Sequence, residues 1–230
     1  MMKFEVLTLF PELIQSHLDF SIMKRAVDSG IIVVETHNPR DYTLDKHKKV
    51  DDTPYGGGAG MVLMPQPYVD CYESIKKIDN SITIMMTPQG EPFTDKLSNE
   101  LTQYEQIVIL CGHYEGFDER IREIIKPKEI SIGDFVLTGG ELPALCLIDS
   151  ISRKIEGTLG KIESAHDDSF SDGLLEYPQY TKPRNYRGYE VPEVLLNGNH
   201  KLIEDYRKEQ KLVRTMTKRP DLYKKYLENN

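Results

Sequence analysis

Apolar positions along the chain fall into short runs separated by longer amphipathic stretches. Residues 4–9 (FEVLTL) are a compact apolar run of the length of a buried strand. From Pro11, the residues Ile14, Leu18, Ile22 and Ala26 recur every four positions, which predicts one helix opened by proline and ended by Gly30. Residues 31–34 are β-branched and read as a strand, and 51–60 (DDTPYGGGAG) as a turn-rich loop. Strands are predicted over 81–86, 107–111 (IVILC) and 129–137, alternating with helices over 94–104, 117–125 and 141–155. The second of these helices carries Ile121, Ile124 and Ile125 on one side; the third turns Ala144, Ile148, Ile151 and Ile155 inward. Strand–helix alternation predicts an α/β domain with a mainly parallel sheet. Periodicity fades over 158–190, a linker followed by irregular chain, and returns as helices over 191–196, 199–217 and 220–227.

Composition narrows the class. At 230 residues, 39% hydrophobic and 29% charged, the chain can bury a substantial core and is not of disordered type. No run approaches 18 apolar residues, which excludes a spanning helix. The first residues contain Glu5 and Glu12 and no small-residue cleavage site, unlike a secretory signal. Three widely spaced cysteines, Cys71, Cys111 and Cys146, argue against a disulfide framework or a zinc cluster. A reduced, cytoplasmic protein without membrane attachment is expected.

The net charge of −8 hides an asymmetry. Residues 1–172 hold 17 Lys+Arg against 29 Asp+Glu; residues 173–230 hold 12 against 8. A basic end on an acidic body hints at a polyanionic partner, but on charge alone a solvated helical surface is the favoured reading. In the long C-terminal helix, Arg207, Lys211, Arg214 and Lys218 fall on one stripe, while Leu202, Tyr206, Val213 and Met216 lie on another side. The pattern predicts a helix that packs by its apolar side and offers four cations to phosphates, or an ordinary amphipathic surface helix.

Candidate chemistry gathers in loops that leave the carboxyl ends of three predicted strands: 87–91 (TPQGE), 111–116 (CGHYEG) and 131–141 (SIGDFVLTGGE). Ligands of open α/β sheets bind at that end, and glycines there admit close backbone approach. No phosphate-binding G-x-x-x-x-G-K-[ST] motif occurs, and the run 56–60 (GGGAG) follows a polar stretch that is no buried strand. None of the three loops carries Lys or Arg. Such a pocket suits a ligand with hydroxyls, an amino group and a purine ring, including one bearing positive charge.

These same segments, together with 9–11 (LFP), 54–58 (PYGGG), 137–143 (LTGGELP), 167–170 (DDSF), 172–176 (DGLLE), 198–200 (GNH) and 218–220 (KRP), occur in an order that closely resembles the bacterial tRNA (guanine-N(1))-methyltransferases of the SPOUT class. The resemblance runs nearly end to end. It implies a SPOUT-type α/β domain with a deep trefoil knot over 1–157, an interdomain linker over 158–175 and a small, mainly helical tRNA-binding domain over 176–230. It implies a homodimer with composite active sites that transfers a methyl group from S-adenosylmethionine to ring nitrogen 1 of guanosine 37 of tRNA, preferably after guanosine 36. The modified base lies beside the anticodon and supports reading-frame maintenance. The family's reaction is aided by magnesium, for which the sequence shows no metal site.

By the same resemblance, Asp172 matches the general base and Arg153 the cation that stabilises charge on the guanine carbonyl oxygen; by spacing alone they read as a turn residue and a helix-end cation. The methyl donor is assigned Met86, Thr87, Pro88 and Gly90 from the first loop, and Gly112, Tyr114, Glu115 and Gly116 from the second. From the third it is assigned Ile132, Gly133, Phe135, Leu137, Gly139, Gly140 and Pro143. Glu115 is also a candidate for the target guanine, and Asp134 for neutralising the sulfonium; either could instead cap a helix. Arg184, Arg207, Lys211, Arg214 and Lys218 are candidate tRNA contacts, with Tyr180 and Tyr186 as aromatic neighbours. His113 stands where many members have Arg, Met86-Thr87 where Leu-Ser is frequent, and Phe135 where Tyr is frequent. His166, beside Asp167, reads as a linker-ordering residue. The alternatives are a knotted methyltransferase acting on another RNA position, a non-catalytic RNA-binding protein and a nucleotide-dependent dehydrogenase.

Overall fold

The computed structural model describes residues 1–159 and 168–229. The chain divides into two units, Met1–Gly160 and Lys161–Asn230.

The first unit is built on a five-stranded parallel sheet. Its strands are β1 (Met2–Leu7), β2 (Ile32–His37), β5 (Ser81–Pro92), β6 (Gln106–Cys111) and β7 (Lys128–Ser131), in the spatial order β2-β1-β6-β5-β7. The central strands are apolar on both faces because both faces are covered. Phe4, Ile107, Ile109 and Cys111 face α1 (Pro11–Leu18), α2 (Ser21–Asp28), α4 (Asp95–Leu101) and α6 (Glu141–Ser152). Leu7, Met85, Val108 and Leu110 face α3 (Pro65–Ser74) and α5 (Glu119–Ile125). A two-residue ladder of β3 (Asp51–Asp52) with β4 (Val62–Leu63) ties down the ends of the glycine loop predicted over 51–60.

Local chemistry sets the helix starts. Pro11 and Pro65 occupy first-turn positions, where the missing N–H costs nothing. Thr94 accepts a hydrogen bond from the Leu97 N–H, and Asp118 one from the Arg120 N–H, each satisfying an otherwise orphaned donor.

The structure departs from the sequence reading in four places in this unit. The helix expected from Pro11 to Gly30 is two, because Ser21 adopts φ +54°, a left-handed conformation that a continuing helix excludes. Met23, rather than Ile22, is then the buried residue beside Ala26. The strand expected over 129–137 stops at Ser131, so 132–137 is free to form a loop. Ile124 is exposed while Ile121 and Ile125 are buried. Finally, β5 does not end at Met86 but resumes at Glu91: both residues pair with Ile130, so four residues between them leave the ladder as a bulge.

The second unit contains a short hairpin of β8 (Asn185–Tyr186) and β9 (Tyr189–Glu190), a 3-10 turn over Glu193–Leu195 where a helix over 191–196 was expected, and two helices, α7 (His200–Lys218) and α8 (Pro220–Asn229). Asn199 caps α7 by accepting from the Leu202 N–H.

Candidate active site

β6, β5 and β7 are neighbours in the sheet, so the segments leaving their carboxyl ends meet. They close on a cavity of about 440 Å³, within the size range of small-molecule sites. The Thr87–Gln89 bulge, the loop Gly112–Gly116 and the stretch from Ile132 to Gly140 supply most of the wall. Of the proposed donor-binding residues, Met86, Thr87, Pro88, Gly112, Tyr114, Glu115, Gly116, Ile132, Gly133, Phe135, Leu137, Gly139, Gly140 and Pro143 all line it.

Gly90 does not line the cavity. Its contribution is steric: a Cβ there would stand 2.3 Å from the Ile130 backbone N, so glycine is what lets the bulge rejoin β7. Asp134 is exposed and also lies off the cavity wall. Gly140 serves the opposite wall in the way Gly90 serves the bulge, since a Cβ would stand 2.8 Å from the Cys111 Cα. It lets the start of α6 abut the end of β6, with the Gly140 N–H donating to the Gly112 carbonyl at 2.9 Å.

The loop after β6 is held from outside. Glu115 N–H donates to the Met61 carbonyl, and Leu63 N–H to the Gly116 carbonyl, each at 2.9 Å. Tyr114 sits at φ +59°, turning its half-exposed ring at the cavity. Beneath it Glu141, almost fully buried, bridges two elements: Oε1 accepts from Thr8 Oγ1 at 2.6 Å and Oε2 pairs with His113 Nε2 at 2.7 Å. A carboxylate removed from water requires such partners. His113 stacks obliquely on Phe10 with ring centroids 4.8 Å apart. With one nitrogen held by Glu141, it is anchored to the wall.

Sequence reasoning missed Glu119 and Arg122, which α5 brings to the cavity. Their signal was position: α5 opens directly behind the second loop, one turn from Glu119 to Arg122. Arg122 is paired on both sides, Nη1 with Glu119 at 3.1 Å and Nε with Glu129 at 3.2 Å. The site's cation is therefore matched by carboxylates, and Glu115 adds another.

Arg153 is the C-terminal cap of α6. It lies ten residues beyond Pro143, the cavity-lining residue of α6, about 15 Å at 1.5 Å per residue. It does not line the cavity.

In the second unit the expected split between an inward apolar side and an outward basic stripe holds only in part: Arg207 is exposed as expected and Tyr206 is partly buried. Leu202, Val213 and Met216, read as the packing side of α7, are 48%, 44% and 50% exposed, whereas Lys211 is 9% exposed. The Lys211 ammonium pairs with Asp172 Oδ2 at 2.5 Å. The Arg207 guanidinium lies 4.6 Å from the centre of the buried Tyr177 ring. Arg214 is half-buried and Lys218 exposed. Arg184 is exposed and paired with Glu193 at 2.7 Å. It shares an open cleft of about 460 Å³ with Tyr180, Lys182 and Arg207, while Tyr186 is exposed beside Arg187. His166 and Asp167 lie outside the described residues.

No helix among the described residues is long and apolar enough to cross a membrane. One three-ligand cluster occurs among them, Glu5, Glu35 and His37. Lys3 Nζ already lies 2.8 Å from Glu5 and 3.0 Å from Glu35, and His37 Nε2 lies 2.7 Å from Glu5. Its charge is met without a metal ion.

Residues 2–225 match the family model for tRNA (Guanine-1)-methyltransferase TrmD. A tRNA (guanine-N(1)-)-methyltransferase of Staphylococcus epidermidis is 56% identical over 225 residues, covering 98% of this chain and 92% of the relative. The protein of that description from Clostridioides difficile is 55% identical over 227 residues, 97% of this chain and 98% of the relative. That from Desulforamulus reducens is 53% identical over 226 residues, 97% and 89%.

Proposed function

Since the chain belongs to the tRNA (guanine-N(1)-)-methyltransferase family, we propose that its cavity binds S-adenosylmethionine and that the methyl group goes to ring nitrogen 1 of guanosine 37, preferably after guanosine 36. The chain is an enzyme, a tRNA (guanine-N(1)-)-methyltransferase. What carries the finer reading is the convergence of three strand-end segments on one cavity rich in glycine and carboxylate, in a chain matched from residue 2 to 225. On this reading the sheet domain, 1–157, holds the trefoil knot and the donor, the linker spans 158–175, and residues 176–230 bind tRNA in the cytoplasm.

The cavity suits the donor on its own geometry. A Cβ on Gly112, Gly133, Gly139 or Gly140 would meet neighbouring protein atoms at 2.3–2.8 Å, so the loops pack this tightly into one wall only with glycine at these positions. Carboxylates at Glu115 and Glu119 suit an ammonium or sulfonium. Bound there, S-adenosylmethionine supplies an electrophilic methyl group. The Glu5–Glu35–His37 cluster is filled by Lys3 and lies off the cavity, so it does not fit a magnesium ion acting in the transfer.

Guanine nitrogen 1 bears a proton, so its lone pair is withheld until a base removes it. Asp172 is assigned that task. An ordinary aspartate titrates near 3.9, well below guanine, and each unit of mismatch costs about 1.4 kcal/mol. A cation at the guanine carbonyl oxygen offsets this by stabilising charge as it develops, the task assigned to Arg153. The distance of Arg153 from its own cavity, about 15 Å along α6 from Pro143, supports a homodimer in which each active site draws on both protomers. Tyr180 and Arg184 are suited to unstacked bases and phosphates of the anticodon loop, which must release its target base to the cavity.

The test is methyl transfer from labelled S-adenosylmethionine to an unmodified transcript with guanosine at 36 and 37. Label is expected there, and near-background with adenosine at 37 or with Asp172→Asn protein. Persisting label with adenosine at 37 would move the target elsewhere in the RNA.

A further inference from the structure

Every residue of the hairpin formed by β8 and β9 is exposed, Tyr186 to 60% and Tyr189 to 83%. A hairpin that buries so little depends on its turn and its local bonds. The turn is two residues, Arg187 and Gly188, at φ +54° and +86°, the primed geometry that matches the twist of the flanking strands. Asn185 holds it twice: Oδ1 accepts from the Gly188 N–H at 3.1 Å, and Nδ2 donates to Glu190 Oε1 at 3.0 Å. The Val191 N–H, donating to the Arg184 carbonyl at 2.9 Å, closes the base of the ribbon.

Register decides what the tip displays. Tyr186 pairs with Tyr189, and Asn185 with Glu190. Side chains alternate along a strand, so both tyrosines leave one face of the ribbon and Asn185 and Glu190 the other. The carboxylate is thereby kept off the aromatic face. The Arg187 guanidinium lies 5.3 Å from the centre of the Tyr186 ring and adds a cation beside it. Asparagine, aspartate or glycine costs least at such a turn position, so the turn itself does not call for arginine.

We propose that this face is a stacking platform for an unpaired base of the tRNA, other than the base that is methylated, with Arg187 meeting an adjoining phosphate. This rests on the reading of residues 176–230 as tRNA-binding. Every base has a π-face, so two exposed rings on one side of a rigid ribbon suit a base whatever its identity. Bases of a duplex are stacked on one another, so the occupant belongs to a loop. Charge favours RNA over a protein as the occupant: residues 173–230 hold 12 Lys+Arg against 8 Asp+Glu, and a nucleotide brings ring and phosphate to Tyr189 and Arg187 together.

The test measures binding of an unmodified tRNA transcript across a salt series, with Tm and oligomeric mass checked for each variant. Tyr189→Leu, which keeps an apolar strand residue but removes the ring, is expected to weaken binding at least about fivefold with an unchanged log–log salt slope. Tyr189→Phe, which keeps the ring, stays within about twofold of wild type. Arg187→Asn suits the turn better than arginine, so Tm holds or rises, while binding weakens and the salt slope falls by about 0.7–0.9. The chain has no tryptophan, so Tyr189→Trp carries a single reporter. Its emission should be quenched by the transcript and not by a fully paired RNA duplex. If Tyr189→Leu is misfolded, Arg187→Asn and Tyr189→Trp decide by the same criteria. Wild-type affinity in both Tyr189→Leu and Arg187→Asn overturns the proposal, as does equal quenching by duplex and transcript. A Tyr189→Leu protein of altered oligomeric mass and unchanged tRNA affinity would make the face a protein contact and overturn it too. Failure of the wild-type protein to bind the transcript would instead remove the reading of residues 176–230 as tRNA-binding, and the proposal with it.

Discussion

Replacing Gly90 by alanine tests how the cavity is built. The ideal Cβ would lie 2.3 Å from the Ile130 N, 2.4 Å from the Glu129 carbonyl carbon and 2.6 Å from the Ile130 carbonyl carbon. Ordinary contact begins near 3.4 Å, so β5 and β7 must part by roughly 1 Å at this point. All three atoms are backbone, and the ladder pins them on both sides of the bulge through the pairs Met86 with Ile130 and Pro92 with Ser131. No rotamer relieves the clash. Overpacking of this kind costs about 1–3 kcal/mol, and for a unit of this length that corresponds to a fall in Tm of roughly 2–12 °C. Because Thr87, Pro88 and Gln89 sit on the displaced bulge, affinity for S-adenosylhomocysteine is expected to fall at least about tenfold. Gly112→Ala is the internal control. The three atoms nearest its Cβ all belong to the Phe117 ring, at 2.8–3.3 Å, a side chain rather than backbone, so less of the clash is fixed. Differential scanning fluorimetry and calorimetric titration of the three proteins therefore order them wild type, Gly112→Ala, Gly90→Ala. Trimming Phe117 should relieve the second protein, while trimming Ile130 should not relieve the third. A Gly90→Ala protein with Tm within about 1 °C of wild type and unchanged affinity would refute the steric reasoning.

Two further outcomes follow from titrating groups. Burial pushes the Cys71 thiol up to about 12 and the Cys111 thiol well above its ordinary value, while Cys146 is exposed. A thiol-reactive chromophore at neutral pH should label native protein at no more than Cys146, and prompt labelling of Cys71 or Cys111 would contradict the core described. Burial raises the Glu5 carboxyl, but hydrogen bonds from Lys3, His37 and Gln106 outweigh it and hold the group below its ordinary value. A depressed carboxylate contributes stability above its unfolded pKa, near 4.3, that is lost as pH falls through the lower folded value. Glu5→Gln should therefore flatten the loss of stability below about pH 5, measured by urea midpoints; an unchanged acid slope would count against the network.

Much of the sheet was legible because buried parallel strands need apolar residues on both faces, and 107–111 offers them in an unbroken run and 4–9 in one interrupted only by Glu5 and Thr8. Strand-end loops were legible for a related reason, since glycines and turn residues interrupt those runs. The helix break at Ser21 was not, because Leu18, Ile22 and Ala26 keep a helical spacing across it and one backbone angle undoes the continuity. Nor was Arg122 at the cavity, because its place depends on where α5 starts relative to the sheet.

The second unit separates most clearly what the chain determined alone from what its folding decided. The sequence by itself settled that α7 is a helix, where it begins, and that cations and apolar side chains occupy different stripes. It did not settle which stripe faces inward. Hydrophobicity alone favours Leu202, Val213 and Met216, yet these are about half exposed. Only the tertiary structure brings Asp172, Leu175 and Tyr177 from a distant turn onto Lys211, Thr215 and Arg207. A buried ammonium depends on a carboxylate beside it, and residues 39 apart in sequence become partners only when the chain folds back.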